Sequence, residues 1–229
     1  MNLITISCLS AGSDPRFDAA MAIYRDAIDP SEQKSPDVLR AQIDDPRFNF
    51  LVGERDDAVV GFAIIFIPAS RDFWLLEYMA VDETTRSSGF GSQLFAAATA
   101  FGAQQTDNAP GIFEVENPGI DVGEAHPMRR RLAFYDRKGC RVISGLDYIL
   151  PPLVQGTTPP PMMLLIYNAP ERTTLDKATL AGWLATLYCD VYGQPMDDPR
   201  LATMLAPLPD PVALGSMRLM TATAHRLVT

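Results

Sequence analysis

The sequence has few of the residues that build metal centres and disulfide frameworks. Its 229 residues include only two histidines and three cysteines, Cys8, Cys140 and Cys189. The cysteines are far apart and form no C-x-x-C pair, so we expect reduced thiols rather than disulfides or a zinc site. Two histidines are too few for a centre with several histidine ligands. The sequence therefore predicts no bound metal and favours a cytoplasmic protein.

Long apolar runs and an excess of basic residues are also missing. The longest apolar stretches, residues 61–69 and Met162–Tyr167, fall short of the ~18 residues of a membrane span. No lysine or arginine precedes Arg16, which is not typical of a secretory signal. The net charge of −9 argues against a basic nucleic-acid-binding surface. It favours cationic small partners only weakly, because the same charge can serve solubility alone.

The order of predicted elements indicates a mixed α/β (α+β) domain. Helices are expected to begin near Asp14-Pro15, Ser35-Pro36, Gly91 and Pro127, with Gly139 closing the last of them. The strand-like runs are residues 2–8, 50–54, 59–67, 73–81, 111–116, 141–150 and 162–167. Asp56-Asp57 predicts the turn of a hairpin. Strands therefore come mostly in a run and then alternate with helices.

The character of the chain changes to helical after Tyr167, so we predict one domain over residues 1–169 and a C-terminal helical extension over 170–229. Thr173 with Asp176 fits a capping box, and Gly193 is expected to end the helix that follows. Asp198-Pro199 and Asp210-Pro211 each resemble a helix start. The extension is interpreted as plain packing on the core, as an arm for homodimer formation, or as a lid over a site.

The segment from Leu75 to Leu94 predicts an anion-binding loop. An apolar strand ends at Val81, a polar turn follows, and Arg86, Gly89 and Gly91 then form R-x-x-G-x-G before a helix. Glycines let successive amides point into one concavity, and the helix adds its free first-turn donors and its dipole. The dinucleotide fingerprint fails because Leu94 stands at its third glycine, and no Gly-Lys-Ser/Thr follows for a Walker A loop.

This loop resembles the phosphate loop of the GNAT superfamily of N-acetyltransferases, Arg/Gln-x-x-Gly-x-Gly/Ala between a strand and a helix. Val59-Val60-Gly61-Phe62 is similar to the family's third-strand opening. The stretch from Arg131 to Cys140, with Tyr135 and Gly139, is similar to its second signature. The element order from Asn2 to Tyr167 also matches. The resemblance implies a mixed, mostly antiparallel sheet flanked by helices, and an acyl-CoA cosubstrate.

The resemblance further implies where coenzyme A would bind. Main-chain groups of Met79, Ala80 and Val81 would hold pantetheine and polarise the thioester carbonyl. Backbone amides of the loop would hold the pyrophosphate, namely those of Arg86, Ser87, Ser88, Gly89, Phe90, Gly91 and Ser92. Tyr135 would act as the general acid that protonates the departing thiolate. Its alternative role is packing beside Phe134 between helix and sheet.

Three glutamates stand in otherwise apolar strands. Glu77 interrupts the strand before the loop, and Glu114 and Glu116 share one face of the next strand. Glu77 or Glu116 could accept a proton from an ammonium through water, or bind a cationic acceptor. Alternatively, each forms a structural ion pair with Arg129, Arg130 or Arg131, since a carboxylate in such a run needs a partner.

Two classes of function follow. The first is an acyl-CoA-dependent N-acyltransferase that moves an acetyl group to a small-molecule amine by direct transfer. The second is a catalytically silent CoA-binding or interaction protein on the same fold. O-acylation or another acyl donor stays open, because a phosphate loop contacts only the diphosphate.

Overall fold

The computed structural model describes residues 4–85, 88–119, 123, 126–153, 157–167 and 172–216. The chain divides into two units, Met1–Gly111 with Pro152–Pro159 and Ile112–Pro151 with Pro160–Thr229. Arg86, Ser87 and the boundary between residues 169 and 170 lie outside the described residues. The division into 1–169 and 170–229 therefore stays a prediction.

The first unit contains an antiparallel sheet in the order β1-β2-β3-β4. Its strands are β1 (Thr5–Cys8), β2 (Phe48–Arg55), β3 (Ala58–Phe66) and β4 (Trp74–Val81). Its helices are α1 (Pro15–Ala27), α2 (Pro36–Ile43) and α3 (Phe90–Gln105), with short 3₁₀ turns at Pro30–Glu32 and Glu83–Thr85. Strand β3 is strongly apolar, and most of its residues are buried.

Local sequence explains the ends of these elements. Asp14 and Ser35 cap α1 and α2, accepting hydrogen bonds from the amides of Arg16 and Val38, and each is followed by proline at the first helical position. Asp56 and Asp57 have φ of 50° and 62° and turn β2 into β3. Short acidic side chains tolerate the left-handed region, which confirms the predicted hairpin.

The second unit contains strands in the order β5-β7-β6-β9-β8. They are β5 (Gly111–Glu116), β6 (Arg141–Ile143), β7 (Met162–Tyr167), β8 (Thr174–Leu175) and β9 (Val212–Gly215). Its helices are α4 (Pro127–Arg137), α5 (Lys177–Thr186), a π-helical turn (Leu187–Val191) and α6 (Pro199–Leu205). Gly139, with φ of 82°, follows α4 as predicted.

The predicted strand from Arg141 to Leu150 is too long. Pairing stops at Ile143, and Gly145 has φ of 77°, which turns the chain away. Beyond it, among the described residues, only Tyr148 makes an isolated bridge, to Met162. Apolar residues on both sides of Ser144-Gly145 predicted one strand, because the sequence pattern did not show that the chain turns at Gly145.

Two predictions for the C-terminal segment are also wrong, although its helices are present. The capping box at Thr173 does not form, because Thr174–Leu175 is strand β8 and α5 begins after Asp176. Asp210-Pro211 does not start a helix but precedes strand β9. The Asp210 carboxylate instead accepts a hydrogen bond from the amide of Lys177, 3.1 Å away, and so caps α5 from a distance. The segment thus supplies strands as well as helices.

Candidate active site

The turn between β4 and α3 is built around Asp82. Its amide donates to the carbonyl of Val60 (2.9 Å), and its carboxylate accepts from the amide of Thr84 (2.8 Å). The amide of Thr85 donates to the Asp82 carbonyl (3.1 Å). This local network starts the 3₁₀ turn Glu83–Thr85 and fixes how the chain leaves the strand.

Gly89 ends this turn in the left-handed region, with φ of 82°, and is the N-cap of α3. Because glycine has no side chain, no side-chain hydrogen bond caps the helix at this position. A Cβ placed on Gly89 would meet no atom within 4 Å. The amides of Ser88 and Ser92 already donate to the carbonyls of Thr85 and Gly89 (3.3 and 3.1 Å). Within the described residues, the amides of Gly89, Phe90 and Gly91 have no backbone acceptor. They belong to the first turn of α3, the end of a helix at which anions bind.

The helix behind the loop is held in place by apolar contacts. Phe90 is buried, and the Arg55 guanidinium lies 5.6 Å from the centre of its ring. A Cβ on Gly61 of β3 would lie 2.9 Å from the Ala80 carbonyl oxygen and 3.2 Å from Leu94 of α3. Glycine at position 61 therefore allows the close approach of β3, β4 and α3, which accounts for the glycine of the Val-Val-Gly-Phe motif.

Strand β4 carries a bulge at Glu77. Ile64 of β3 pairs with Tyr78, whereas Ile65 pairs with Leu76, so Glu77 has no partner in the ladder. Regular pairing resumes beyond it, where Ala63 lies opposite Met79. Bulges bend a strand and redirect its side chains, and they occur often beside active sites. The predicted pantetheine-binding residues thus follow directly after an irregularity in the strand.

The Glu77 carboxylate is buried and forms an ion pair with the ammonium of Lys34. The predicted arginine partners are not the ones it uses. Lys34 lies in the segment between the first 3₁₀ turn and α2, where no periodic pattern marks it as a buried residue. Sequence analysis therefore missed it.

Tyr135 lies on α4 in the second unit, where its ring is buried against Phe113 of β5 at a centroid distance of 5.5 Å. Phe134 packs edge-on against it at 5.4 Å. Burial raises the pKa of Tyr135 to about 12, and the charge of Arg131 opposes that rise. The phenol is therefore protonated throughout the neutral range.

The two glutamates of β5 have different partners. Glu116 forms an ion pair with Arg131 of α4, at 3.0 Å, which is one of the pairs expected from the sequence. Glu114 accepts hydrogen bonds from the hydroxyls of Tyr148 and Tyr192. The negative charge of Glu114 and burial raise the pKa of Tyr148 well above its usual value, with burial the larger cause. Neither tyrosine was identified from the sequence, because each reaches Glu114 from an irregular segment.

Comparison with known protein families shows which family model this part of the sequence matches. Residues 17–119 match the sequence model described as the acetyltransferase (GNAT) family. These residues carry a GNAT acetyltransferase domain. The match includes the phosphate loop and Glu77 but ends before α4, so it does not reach Tyr135.

The fold of the GNAT domain is confirmed by solved structures. An acetyltransferase of the GNAT family from Bacteroides thetaiotaomicron superposes with a TM-score of 0.67 at 23% identity, covering 83% of this chain and 99% of that one. The ribosomal-protein-S18-alanine N-acetyltransferase of Escherichia coli gives 0.53 at 17% identity, covering 72% and 93%. A GNAT acetyltransferase from Elizabethkingia anophelis with acetyl-CoA bound gives 0.50 at 18% identity, covering 73% and 99%. No curated protein matches the chain at a significant level.

Metal-ligand clusters and membrane-spanning helices are both missing from the described residues. In the residues with described positions, no three side chains of His, Cys, Asp or Glu are grouped so that they could hold a metal ion. None of the helices in that part of the chain is long and apolar enough to cross a membrane.

Proposed function

We propose that this protein is an acetyl-CoA-dependent N-acetyltransferase that acetylates the amine of a small-molecule acceptor by direct transfer. The observation that carries the proposal is the open first turn of α3 behind Gly89, within a GNAT domain. A left-handed glycine places no side chain over the first turn of α3, whose amides can bind an anion, and the pyrophosphate of coenzyme A is the anion that the family's loop accepts.

In this proposal the cosubstrate lies along β4 and the loop. The amides of Gly89, Phe90 and Gly91 bind the pyrophosphate, flanked by Ser88 and Ser92. Arg86 and Ser87 complete the loop, with Arg86 giving a charge-assisted contact to a phosphate. Main-chain groups of Met79, Ala80 and Val81 hold pantetheine and polarise the thioester carbonyl.

The transfer itself is an attack of the neutral amine on the thioester carbonyl carbon. The carbon–nitrogen bond forms, the carbon–sulfur bond breaks, and the electron pair leaves with sulfur as a thiolate that is protonated to CoA-SH. Tyr135 is assigned as the acid. Its hydroxyl donates a hydrogen bond to the departing sulfur and then the proton that gives CoA-SH; because the pKa of Tyr135 is about 12, the phenolate regains a proton from water at neutral pH.

A cationic acceptor must lose a proton to become the neutral amine that attacks, and this proton needs an acceptor. Glu77 and Glu116 are assigned to this role through an intervening water, and both are held in defined positions by ion pairs with Lys34 and Arg131. A positioned carboxylate can act as a general base in this way.

A cytoplasmic location and homodimer formation belong to the same proposal. The described cysteines are free thiols, which is typical of cytoplasmic proteins.

The direct test is release of CoA thiol from acetyl-CoA across a panel of polyamines, amino acids and aromatic amines, with acetyl-CoA affinity measured by calorimetry. We expect turnover with at least one cationic amine, with the N-acetylated amine (an amide) as product. Tight acetyl-CoA binding without turnover on any amine would contradict the enzyme and support a silent CoA-binding protein. Absence of acetyl-CoA binding would contradict both. An ester product would instead indicate O-acetylation.

A further inference from the structure

Lys34 and Glu77 form a buried ion pair inside the first unit. Only 6% of the Lys34 side chain and 2% of the Glu77 side chain are exposed. Burying two charges removes their hydration, and their mutual attraction often only offsets that loss. A pair of apolar side chains of similar size would commonly give a core that is as stable or more so. The ion pair therefore calls for an explanation other than stability.

The position of Glu77 in β4 offers an explanation for the buried ion pair. Glu77 is the bulge residue of β4, unpaired in the ladder, and Met79 follows two positions later. The extra residue of a bulge lacks the pairing that fixes the rest of a strand. A contact to its side chain can therefore determine where the bulge lies and how the following residues are directed.

The same segment that carries Lys34 is attached to β4 at a second point. The Tyr78 hydroxyl donates to the carbonyl of Glu32 (2.8 Å), and the amide of Lys34 donates to the hydroxyl of Tyr24 (2.8 Å). The rings of Tyr24 and Tyr78 meet edge-on at 5.0 Å. Residues 32–34 thus contact two consecutive residues of β4, Glu77 and Tyr78.

We infer that Lys34 is a positioning residue for the acyl donor: its ion pair with Glu77 fixes the bulge of β4 and thereby directs the main-chain groups of residues 79–81. The inference rests on the proposed function, because it is these groups that would hold pantetheine. Without the ammonium, the Glu77 carboxylate is left buried without its cation and must turn toward water. The bulge then shifts, and residues 79–81 shift with it. Misplacement of a positioned group by about 1 Å can cost about 10²-fold in rate, and a shift of the groups that hold pantetheine is expected to weaken donor binding as well.

The test compares Lys34→Met, Glu77→Met and the double variant Lys34→Met/Glu77→Met. The readouts are the melting temperature and the Kd for acetyl-CoA measured by calorimetry without any amine. The Kd for acetyl-CoA in the absence of amine is the informative quantity. A residue that acts only by accepting the proton of the amine does not affect this Kd, whereas a residue that positions the donor-binding strand does. We expect each single variant to be less stable than the wild type, and the double variant to recover most of the melting temperature. Its Kd for acetyl-CoA is nevertheless expected to stay about tenfold higher than that of the wild type.

Lys34→Arg and Lys177→Met serve as controls. Lys34→Arg keeps the charge and is expected to recover part of the affinity. The Lys177 ammonium donates to the carbonyl of Leu208 (2.7 Å) in the other unit, so Lys177→Met is expected to lower stability and leave the Kd unchanged. A double variant that recovers stability and wild-type affinity together would overturn the inference. Wild-type protein that binds acetyl-CoA without turnover would overturn only the proposed function, and wild-type protein that does not bind it would overturn both.

Discussion

The indole ring of Trp74 occupies the place where a Cβ atom of Gly102 would stand. A Cβ built on Gly102 of α3 would lie 2.7 Å from both Cε2 and Cε3 of the indole. Trp74 is fully buried at the start of β4, and its Nε1 donates to the carbonyl of Ala109 (3.1 Å). The ring therefore fixes how closely α3 packs on the strand that leads to the predicted phosphate loop.

Gly102→Ala is consequently expected to destabilise the protein. The added methyl group overlaps a rigid, buried ring, and overpacking of this kind costs about 1–3 kcal/mol. Gly182→Ala in α5 is the matched control, because a Cβ there meets no atom within 4 Å. That variant is expected to stabilise by about 0.5–1 kcal/mol through helix propensity. Urea denaturation of both variants checks this, and a similar effect in the two would show that Trp74 does not limit the packing.

Gly89→Asp tests the phosphate loop by charge. Both Asp and Asn tolerate the left-handed region, and a side chain at position 89 has open space. A carboxylate next to the amides of α3 would repel the pyrophosphate, so Gly89→Asp is expected to bind acetyl-CoA at least tenfold more weakly than Gly89→Asn, a difference of about 1.4 kcal/mol.

Gly193→Asp is the control for this charge, because Gly193 also has positive φ and open surroundings but lies in the second unit. Calorimetric titration with acetyl-CoA should detect no difference between Gly193→Asp and the wild type. Equal affinities of Gly89→Asp and Gly89→Asn for acetyl-CoA would show that the loop is not part of the acetyl-CoA-binding site.

Tyr135→Phe is expected to lower kcat by about 10²-fold without changing the KM for acetyl-CoA, because the hydroxyl acts on sulfur only as it departs. Tyr167→Phe is the matched control, since Tyr167 stacks on the same Phe113 ring at 5.8 Å. The pKa of about 12 also predicts that Tyr135 causes no loss of rate up to about pH 10. Steady-state kinetics from pH 7 to 10 measure both effects. A normal kcat for Tyr135→Phe would leave Tyr135 with a packing role.

Asp14→Asn tests a pH-dependent contribution to stability. Hydrogen bonds from the Arg16 side chain and amide lower the pKa of Asp14 to about 2. The folded state thus favours the carboxylate, so its contribution is present above the unfolded pKa of about 4 and is lost as the pH falls toward 2. Asn can retain the helix cap but not the charge.

The melting temperature of Asp14→Asn should therefore lie below that of the wild type at pH 7, with a difference that shrinks below pH 4. Asp18→Asn is the control, because its ion pair with Arg40 is exposed and should contribute little. A difference for Asp14→Asn that stays constant down to pH 2.5 would exclude the ion pair as its cause.

Sequence alone predicted the elements whose signals are local. The caps at Asp14 and Ser35, the hairpin turn at Asp56-Asp57 and the glycine after α4 all depend on residues within a few positions of one another. Elements that depend on distant partners were predicted poorly. Asp210 was interpreted as a helix start, although its carboxylate caps α5 instead, and no local signal distinguishes the two.

The candidate site likewise combines features that local sequence predicts with features that depend on distant residues. The order of strand, glycine-rich turn and helix can be predicted from consecutive residues, because the left-handed conformation at Gly89 and the start of α3 need no distant partner. Which groups contact the three glutamates was decided only by tertiary structure. Lys34, Tyr148 and Tyr192 reach Glu77 and Glu114 from irregular segments, where a side chain's burial depends on packing rather than on periodicity. The sequence thus predicted a GNAT domain and an anion-binding loop within it, and the folded chain determined the electrostatic surroundings of each carboxylate.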